Sequence, residues 1–444
     1  MTLDAGQLQQ IYDPITYEQG PPFEVIDLLR QQQAVVWLDE QPTTGWPGGK
    51  GFWLVTRHSE VSAVLKNPKL FSSWLGGTQL RDPASKQDLH YVRQMMLNMD
   101  PPAHTRLRRL LVNAFTPRAV QKLEAQIREH AKNIIQNVIH NHPHGTCDFT
   151  LDIAADMPLL SLADILGMPG EDRYLMFDWA NRVIGFQDPE YAASSKFEIE
   201  QGSDLAREAI KQRPEPDADG RMPDPRSRAG MPDLYHYAHL LAQSKREHPG
   251  DDIMSLLLRQ VDDEGGSMSV EEFENMFWLF AVAGNETLRN GIPGGMIGLL
   301  QHPEAMAACQ ADPALIPSAV EEMLRWWTPV MIFRRTATED TELDGQAIRK
   351  GDKVVVSFTS ANRDEAVFKQ PEVFNIQRDP NPHLAFGYGP HFCLGAQLAR
   401  MQMRVLFEEL FARLEHIQPA GEPRFLRSNF QRGVKNLPIR FRVK

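Results

Sequence analysis

The sequence predicts a mainly α-helical protein with small β-sheets (α+β), built as one large domain over residues 1–444 with its core from 15 to 442. Three observations lead there. Helical hydrophobic patterns dominate from about residue 104 to 320, strand-like runs are short and confined to the two ends, and no internal repeat or heptad run interrupts them. At 444 residues the length alone allows one large domain or two to three ordinary ones.

The elements follow in order. "AVVWLDE" (34–40) and "GFWLVTR" (51–57) read as strands, and the Pro- and Gly-rich "QPTTGWPGGK" between them as a hairpin turn. A helix begins after Pro101 and Pro102 in "MDPPAHTRLRRLLVNAF", and further helices are predicted over 118–139 and 158–168. Residues 213–233 hold five prolines and many charges, a composition that cannot bury a core. The stretch reads as a mobile loop inserted within the domain, with an interdomain linker as the alternative. Strands return around "RRTATEDTEL", "DKVVVSF" and the last twenty residues, and "LGAQLARMQMRVLFEELFARL" reads as an amphipathic helix.

Composition excludes several classes. Hydrophobic residues make up 42% and charged ones 24%, as in a globular protein, and the net charge of −11 argues against nucleic-acid binding. The three cysteines (Cys147, Cys309 and Cys393) are too few and too scattered for a disulfide framework, and no CxxC pair suggests structural zinc. The N-terminus lacks signal-peptide features, and the most apolar window, "FWLFAVAG", is too short to span a bilayer. A cytoplasmic protein without membrane attachment is expected.

The helix in "VEEFENMFWLFAVAGNETLRNG" (270–291) is apolar on most sides, as in a large core, yet runs into Glu286. A buried carboxylate costs several kcal/mol unless paired. Either Arg289 or Asn290 one turn on neutralises it, or Glu286 and Thr287 form a proton relay, with Gly284 letting another group approach. Pro293 predicts a kink near residue 289. Glu322 and Arg325 share a helix face, as a surface ion pair or a buried one. His104 and Arg108 lie one turn apart, as an anion clamp or a solvated basic face.

Cys393 sits in "AFGYGPHFCLGAQ". No lysine follows to make a phosphate loop, no further ligands suit zinc, and His391 stands two residues from the thiol. The helix that follows would stabilise a thiolate at its N-terminus, Gly387, Gly389 and Gly395 leave room for a flat group, and Phe386 offers an aromatic wall. Such a thiolate suits the axial position of an iron porphyrin.

These residues resemble those of the cytochromes P450. Phe386-Gly387-x-Gly389-x-His391-x-Cys393-x-Gly395 looks like that family's haem-ligand signature, Glu322-x-x-Arg325 like its conserved-helix motif, and Arg378 like the third member of its Glu-Arg-Arg cluster. "AGNET" (283–287) looks like the oxygen-activation motif. The motifs occur in the family's order and cover the chain from about residue 15 to its end. They look most like the bacterial type that lacks a membrane anchor, and the branch that oxidises sterols, terpenoids and branched lipids.

The resemblance implies a haem-thiolate monooxygenase carrying heme b (iron protoporphyrin IX), with Cys393 as the iron ligand. Glu286 and Thr287 would be the catalytic acid and alcohol. His104, Arg108, Arg335 and His391 would bind the haem propionates, with Ala283, Phe386, Gly387 and Gly395 against the macrocycle. Trp74, Leu75, Met95, Met96, Leu97, Val282, Ala283, Val330, Met331, Phe333 and Phe430 are the expected substrate pocket, mostly apolar and so suited to an apolar small molecule. O2 would be the co-substrate and electrons would come from a ferredoxin or flavodoxin with its NAD(P)H-dependent reductase. Arg106, Arg109, Arg118, Arg400 and Arg404 are candidates for the docking face, on a monomer. A peroxide-driven or coupling haem enzyme and a non-catalytic recruitment scaffold are the alternatives. Glu286 stands where many relatives carry Asp, Pro293 and its glycines depart from the family's usual helix, and 213–233 would enlarge a loop that in this family covers the substrate entrance.

Overall fold

Aromatic, branched and β-branched residues make Val35–Leu38 and Phe52–Val55 an antiparallel pair, in register at Trp37 and Trp53, whose rings meet edge-on at 5.3 Å. Phe52–Val55 then pairs parallel to Lys353–Ser357, a strand buried at every residue. An unbroken valine run belongs at the centre of a sheet covered on both faces. The five strands run in the spatial order Val35–Leu38, Phe52–Val55, Lys353–Ser357, Ile332–Ala337, Phe71–Ser72. Ile332–Ala337 carries Arg335, and the edge strand Phe71–Ser72 leads into Trp74 and Leu75. A three-stranded sheet centred on Pro438–Val443 pairs Thr146–Asp148 with Leu414–Pro419 through that middle strand.

This computed structural model describes residues 3–43, 46–192, 202–218, 222–259 and 268–444. The chain forms two compact units, neither a contiguous stretch of sequence: Met1–Asp82 with Val120–Met157 and Thr287–Lys444, and Pro83–Ala119 with Pro158–Glu286. The first holds the sheets and the helices Glu124–Asn141, Ile316–Trp327 and Ala396–Arg413. Helices predominate in the second, around an aromatic centre in which Trp179, Tyr237 and Phe277 pack pairwise at 5.4–5.9 Å.

Three expectations change. The single helix over 118–139 is two, Pro117–Gln121 and Glu124–Asn141, with Glu124 held at the second start by Arg128 at 3.1 Å and Arg404 at 2.9 Å. The long helix Val270–Gln301 stays α-helical through Pro293 without interruption. Its unusual glycines have a packing cause. A Cβ on Gly294 would lie 2.1 Å from Trp327, one on Gly295 2.7 Å from Met323 and one on Gly298 2.9 Å from Phe374. Small residues thus let the helix Ile316–Trp327 press against its backbone. Third, Ala396–Arg413 is buried over most of its circumference, Gln402 and Glu409 included, because Glu124–Asn141 and Ile316–Trp327 both pack on it.

The ends of the proline-rich stretch 213–233 are clasped rather than loose. Arg182, on the helix Arg173–Ile184, donates to Asp178 at 3.2 Å, to the Gly230 carbonyl at 3.2 Å and to Asp233. Trp179 also donates to Asp233 at 2.9 Å, and Arg213 to Asp178 at 3.1 Å. Within that stretch, residues 219–221 lie outside the described residues.

Candidate active site

The cysteine loop is suspended from a buried asparagine. Asn362 accepts from the Leu384 N–H at 2.6 Å and donates to the Thr328 hydroxyl at 2.9 Å, tying the loop's start to the end of the helix Ile316–Trp327. The loop then closes on itself, with Gly387 N–H on the Leu384 carbonyl at 2.8 Å, Phe392 N–H on Gly389 at 3.0 Å and Cys393 N–H on Phe386 at 2.9 Å. Gly387 and Gly389 both take φ of 71°, a left-handed conformation that side-chain-bearing residues resist. At Gly389 space also forbids a side chain, since a Cβ would stand 2.5 Å from the Leu65 carbonyl oxygen.

Cys393 is exposed three residues before the helix Ala396–Arg413. The other two thiols are buried, and burial with nearby aspartates pushes Cys147 up to about 12 and Cys309 up to about 11. They stay protonated and inert at neutral pH. Nothing would touch a Cβ on Gly395 within 4 Å, and the nearest atom to one on Gly387 is 3.8 Å away. Open space therefore lies at Gly387 and Gly395, where a flat ring system would find room. Among the described residues no group of three or more His, Cys, Asp or Glu side chains could hold a bare metal ion. An accessible thiol of this kind would suit a metal whose other ligands come with it, as in a haem, and the residues present fit that group.

Of the residues expected at the propionates, Arg335 is buried and donates to the Arg334 carbonyl at 2.8 Å, and His391 Nε2 lies 3.4 Å from the Ser73 hydroxyl. His104 is buried and Arg108 half-buried on the helix Ala103–Val112. Phe386 is half-buried beside the cysteine.

On the long helix, every residue from Ala281 to Leu299 is buried except Ala283, Gly284 and Thr287. Ala283 and Thr287 stand one turn apart and so form a short accessible stripe. Gly284 is where Leu162 packs, since a Cβ there would meet its side chain at 2.9 Å. Glu286 is fully buried, as are Asn285, Arg289 and Asn290. The amide of Asn290 accepts from Val434 N–H and donates to Gln431, both at 3.1 Å.

Glu322 and Arg325 are fully buried and joined by two bonds of 2.7 and 2.8 Å, so a surface ion pair is excluded. Arg378 joins them at 3.2 Å, and Asn375 N–H and Asn381 also donate to Glu322.

The expected pocket residues differ in exposure. Trp74 and Leu75 are exposed, Leu97, Val330, Phe333 and Phe430 half-buried, and Met95, Met96, Val282 and Met331 buried. Met331 packs in an apolar cluster with Leu54, Ile332 and Phe52, and Phe430 lies against it. Among the docking-face arginines, Arg106 is paired with Glu272, Arg400 with Glu321, and Arg404 with Glu124 and Glu408. Those three are neutralised within the chain, while Arg109 and Arg118 are exposed. Sequence reasoning did not find Asn362, Ser73, Glu321 or His383. Glu321 beside Glu322 was the one local signal; the others meet their partners across tens to hundreds of residues.

A sequence model of the family described as Cytochrome P450 matches residues 235–443. The chain is 36% identical to the Steroid C26-monooxygenase of Mycolicibacterium smegmatis over 94% of this chain and 90% of that protein. It is also 36% identical to Cytochrome P450-terp of a Pseudomonas species, over 92% of each. Among solved structures, Mycobacterium marinum cytochrome P450 CYP268A2 in complex with pseudoionone superposes with a TM-score of 0.81 at 34% identity, over 98% and 97% of the two chains. CYP109E1 from Bacillus megaterium in complex with testosterone gives 0.76 at 32%, over 94% and 97%. No helix among the described residues is long and apolar enough to cross a membrane.

Proposed function

Because the chain belongs to the cytochrome P450 family and is thereby a P450 monooxygenase, we propose that it hydroxylates an apolar sterol- or terpenoid-like molecule. Cys393 ligates the haem, and Glu286 with Thr287 delivers protons. The observation that carries the catalytic assignment is the stripe of Ala283 and Thr287, the accessible positions in a helix segment otherwise buried apart from Gly284. An alanine leaves space for a reactant beside the helix, and an alcohol one turn on can hold and pass a proton there.

When bound through the Cys393 thiolate, a haem supplies the activation of dioxygen and the oxidation of an unactivated C–H bond. The chain's own part is threefold. Its glycine loop exposes the Cys393 thiol and leaves open space at Gly387 and Gly395 that would admit the ring. Arg335 and His391, in the same unit as Cys393, would supply cationic or hydrogen-bonding heads for propionates. Thr287 holds a proton at its hydroxyl, replenished from Glu286, which its burial shields from bulk water. Electrons come from a ferredoxin or flavodoxin.

Support for the substrate class comes from apolar candidates such as Met95, Met96, Val282 and Phe333, and from relatives named for steroid oxidation or solved with testosterone and pseudoionone. Binding spectra of the haem-loaded protein test it. Sterols, terpenoids or long-chain lipids are expected to shift the spin state, whereas a shift with polar aromatics alone overturns the class. For the relay, Thr287→Ala is expected to cut product formed per reduced nicotinamide consumed by about tenfold, less than the ~10²–10⁴-fold rate contribution of a proton-transfer group because coupling and not rate is read. Unchanged coupling would remove Thr287 from the mechanism.

A further inference from the structure

Glu321, next to the fully buried Glu322, faces a different set of partners. Its carboxylate takes the Arg400 guanidinium in a two-pronged pair, Nε to Oε1 at 2.7 Å and Nη2 to Oε2 at 2.9 Å. His383 Nε2 lies 3.2 Å from Oε2, while its Nδ1 accepts from the Ala385 N–H at 3.3 Å. That second bond fixes the tautomer, with the proton on Nε2 directed at the carboxylate. Arg400 in turn lies over Phe386, its guanidinium carbon 4.5 Å from the ring centroid, and the His383 ring centroid is 5.9 Å from that of the same ring. Phe386 is the residue whose carbonyl receives the Cys393 N–H.

Two side chains, Arg400 and His383, thus meet one aromatic ring beside the cysteine, and Glu321 holds both of them. Their order matters. Of the pair, Arg400 is the member in contact with Phe386, so it is the positive charge that meets the cysteine loop. Burial alone would raise the Glu321 carboxyl, but the bonds from His383 and Arg400 outweigh it and hold the group at about 2. The dipole is therefore permanent over the physiological range.

We propose that Glu321, Arg400 and His383 are positioning residues that set the electron-donating strength of the Cys393 thiolate, through the oriented Arg400–Glu321 charge pair stacked on Phe386. This rests on Cys393 being the haem ligand. A cation near a thiolate stabilises its negative charge, and outer-shell charges of this kind are a lever on the potential of a thiolate-bound iron. Removing the two members of the pair should act with opposite sign. Glu321→Gln leaves Arg400 uncompensated and favours the reduced, more negative centre, so the midpoint potential rises. Arg400→Gln leaves Glu321 uncompensated and the potential falls. A role confined to holding the loop in shape would move both variants the same way or neither.

The experiment is a potentiometric titration of haem-loaded parent, Glu321→Gln, Arg400→Gln and the double variant, with ferrous–CO spectra of each. Opposite shifts of the single variants, with the double variant returning toward the parent, support the proposal. Arg400→Lys keeps the charge but loses the planar fork and the stack, and is expected to recover only part of the shift. Shifts of the same sign, or unchanged potentials alongside lowered thermal stability, overturn it. Should Arg400→Gln fail to retain haem, the rise in Glu321→Gln decides alone, and its absence sinks the idea. A parent protein without a thiolate-type ferrous–CO spectrum would instead overturn the ligand assignment beneath it.

Discussion

Two buried arginine–carboxylate networks hold this molecule, and they are built on opposite charge arithmetic. Around Glu322 one carboxylate faces two guanidiniums, Arg325 and Arg378. The surplus donors go to backbone: Arg325 reaches the carbonyls of Asn362, Pro371 and Val373, and Arg378 those of Lys369, Gln370 and Val373. Around Arg182 two carboxylates, Asp178 and Asp233, meet two arginines, Arg182 and Arg213. One backbone carbonyl, that of Gly230, is drawn in by Arg182. The unbalanced network therefore organises irregular chain from 362 to 378, whereas the balanced one works as a staple between a helix and the ends of a proline-rich stretch. Excess buried cation recruits peptide oxygens.

The difference predicts unequal damage. Glu322→Gln leaves two buried guanidiniums facing a neutral amide, and should cost about 4 kcal/mol of stability, with loss of haem incorporation, since the segment from Asn362 onward carries the cysteine loop. Chemical denaturation and haem content check it. A loss below about 1 kcal/mol would mean that the carbonyls alone hold the arginines.

Much of the first network is written in the chain, and almost none of the second. Glu322 and Arg325 are three apart, so helical geometry places them together from the sequence alone. Arg378 was placed by its motif, but the carbonyls it grips belong to a meander without periodicity. Arg182 and Asp233 are 51 positions apart, with no pattern linking them. The same limit applies at the site. The glycines and Cys393 were legible because backbone conformation and a helix start are local, while Asn362 and the Arg400 stack depend on where distant elements dock. The glycines after Pro293 looked anomalous for that reason: Trp327, which Gly294 accommodates, is 33 positions away and belongs to another helix.

Breaking the staple should cost less and be repairable. Arg182→Met strands Asp233 and weakens the hold on Asp178, for about 3 kcal/mol, and should expose Arg213 and Arg228 to limited trypsin digestion. Adding Asp233→Leu removes the stranded charge and leaves Arg213 on Asp178. The double variant should recover most of the loss, short of about 1 kcal/mol for the Trp179 N–H that loses its acceptor. No equivalent repair exists for Glu322, because removing it with one arginine leaves the other unpaired by any acid among these groups. If the double variant is no more stable than Arg182→Met, the staple's strength lies in shape and not in charge balance.

Glu321 gives the smallest effect and the finest test, because it lies beside Glu322 in sequence but is part-exposed, at 29% of its side chain against none. Its carboxyl falls from 4.5 to about 2 in the folded chain, where the bonds of His383 and Arg400 outweigh burial. A lowered folded-state pKa means that the unfolded chain takes up the proton first as pH falls. The stabilisation from this group is thus complete above about pH 4.5 and drains away between there and about pH 2. Asp82, Glu124, Asp252, Glu365 and Glu409 are also lowered, so the parent's acid limb is a sum over several groups. The difference curve between parent and Glu321→Gln isolates one. It should be flat above about pH 5 and close steadily below it, because the parent loses what the amide never had. A difference that stays constant down to about pH 3 would show that Glu321 is protonated no earlier in the unfolded chain than in the folded one, and that the adjacent buried pair carries the helix's charge coupling unaided.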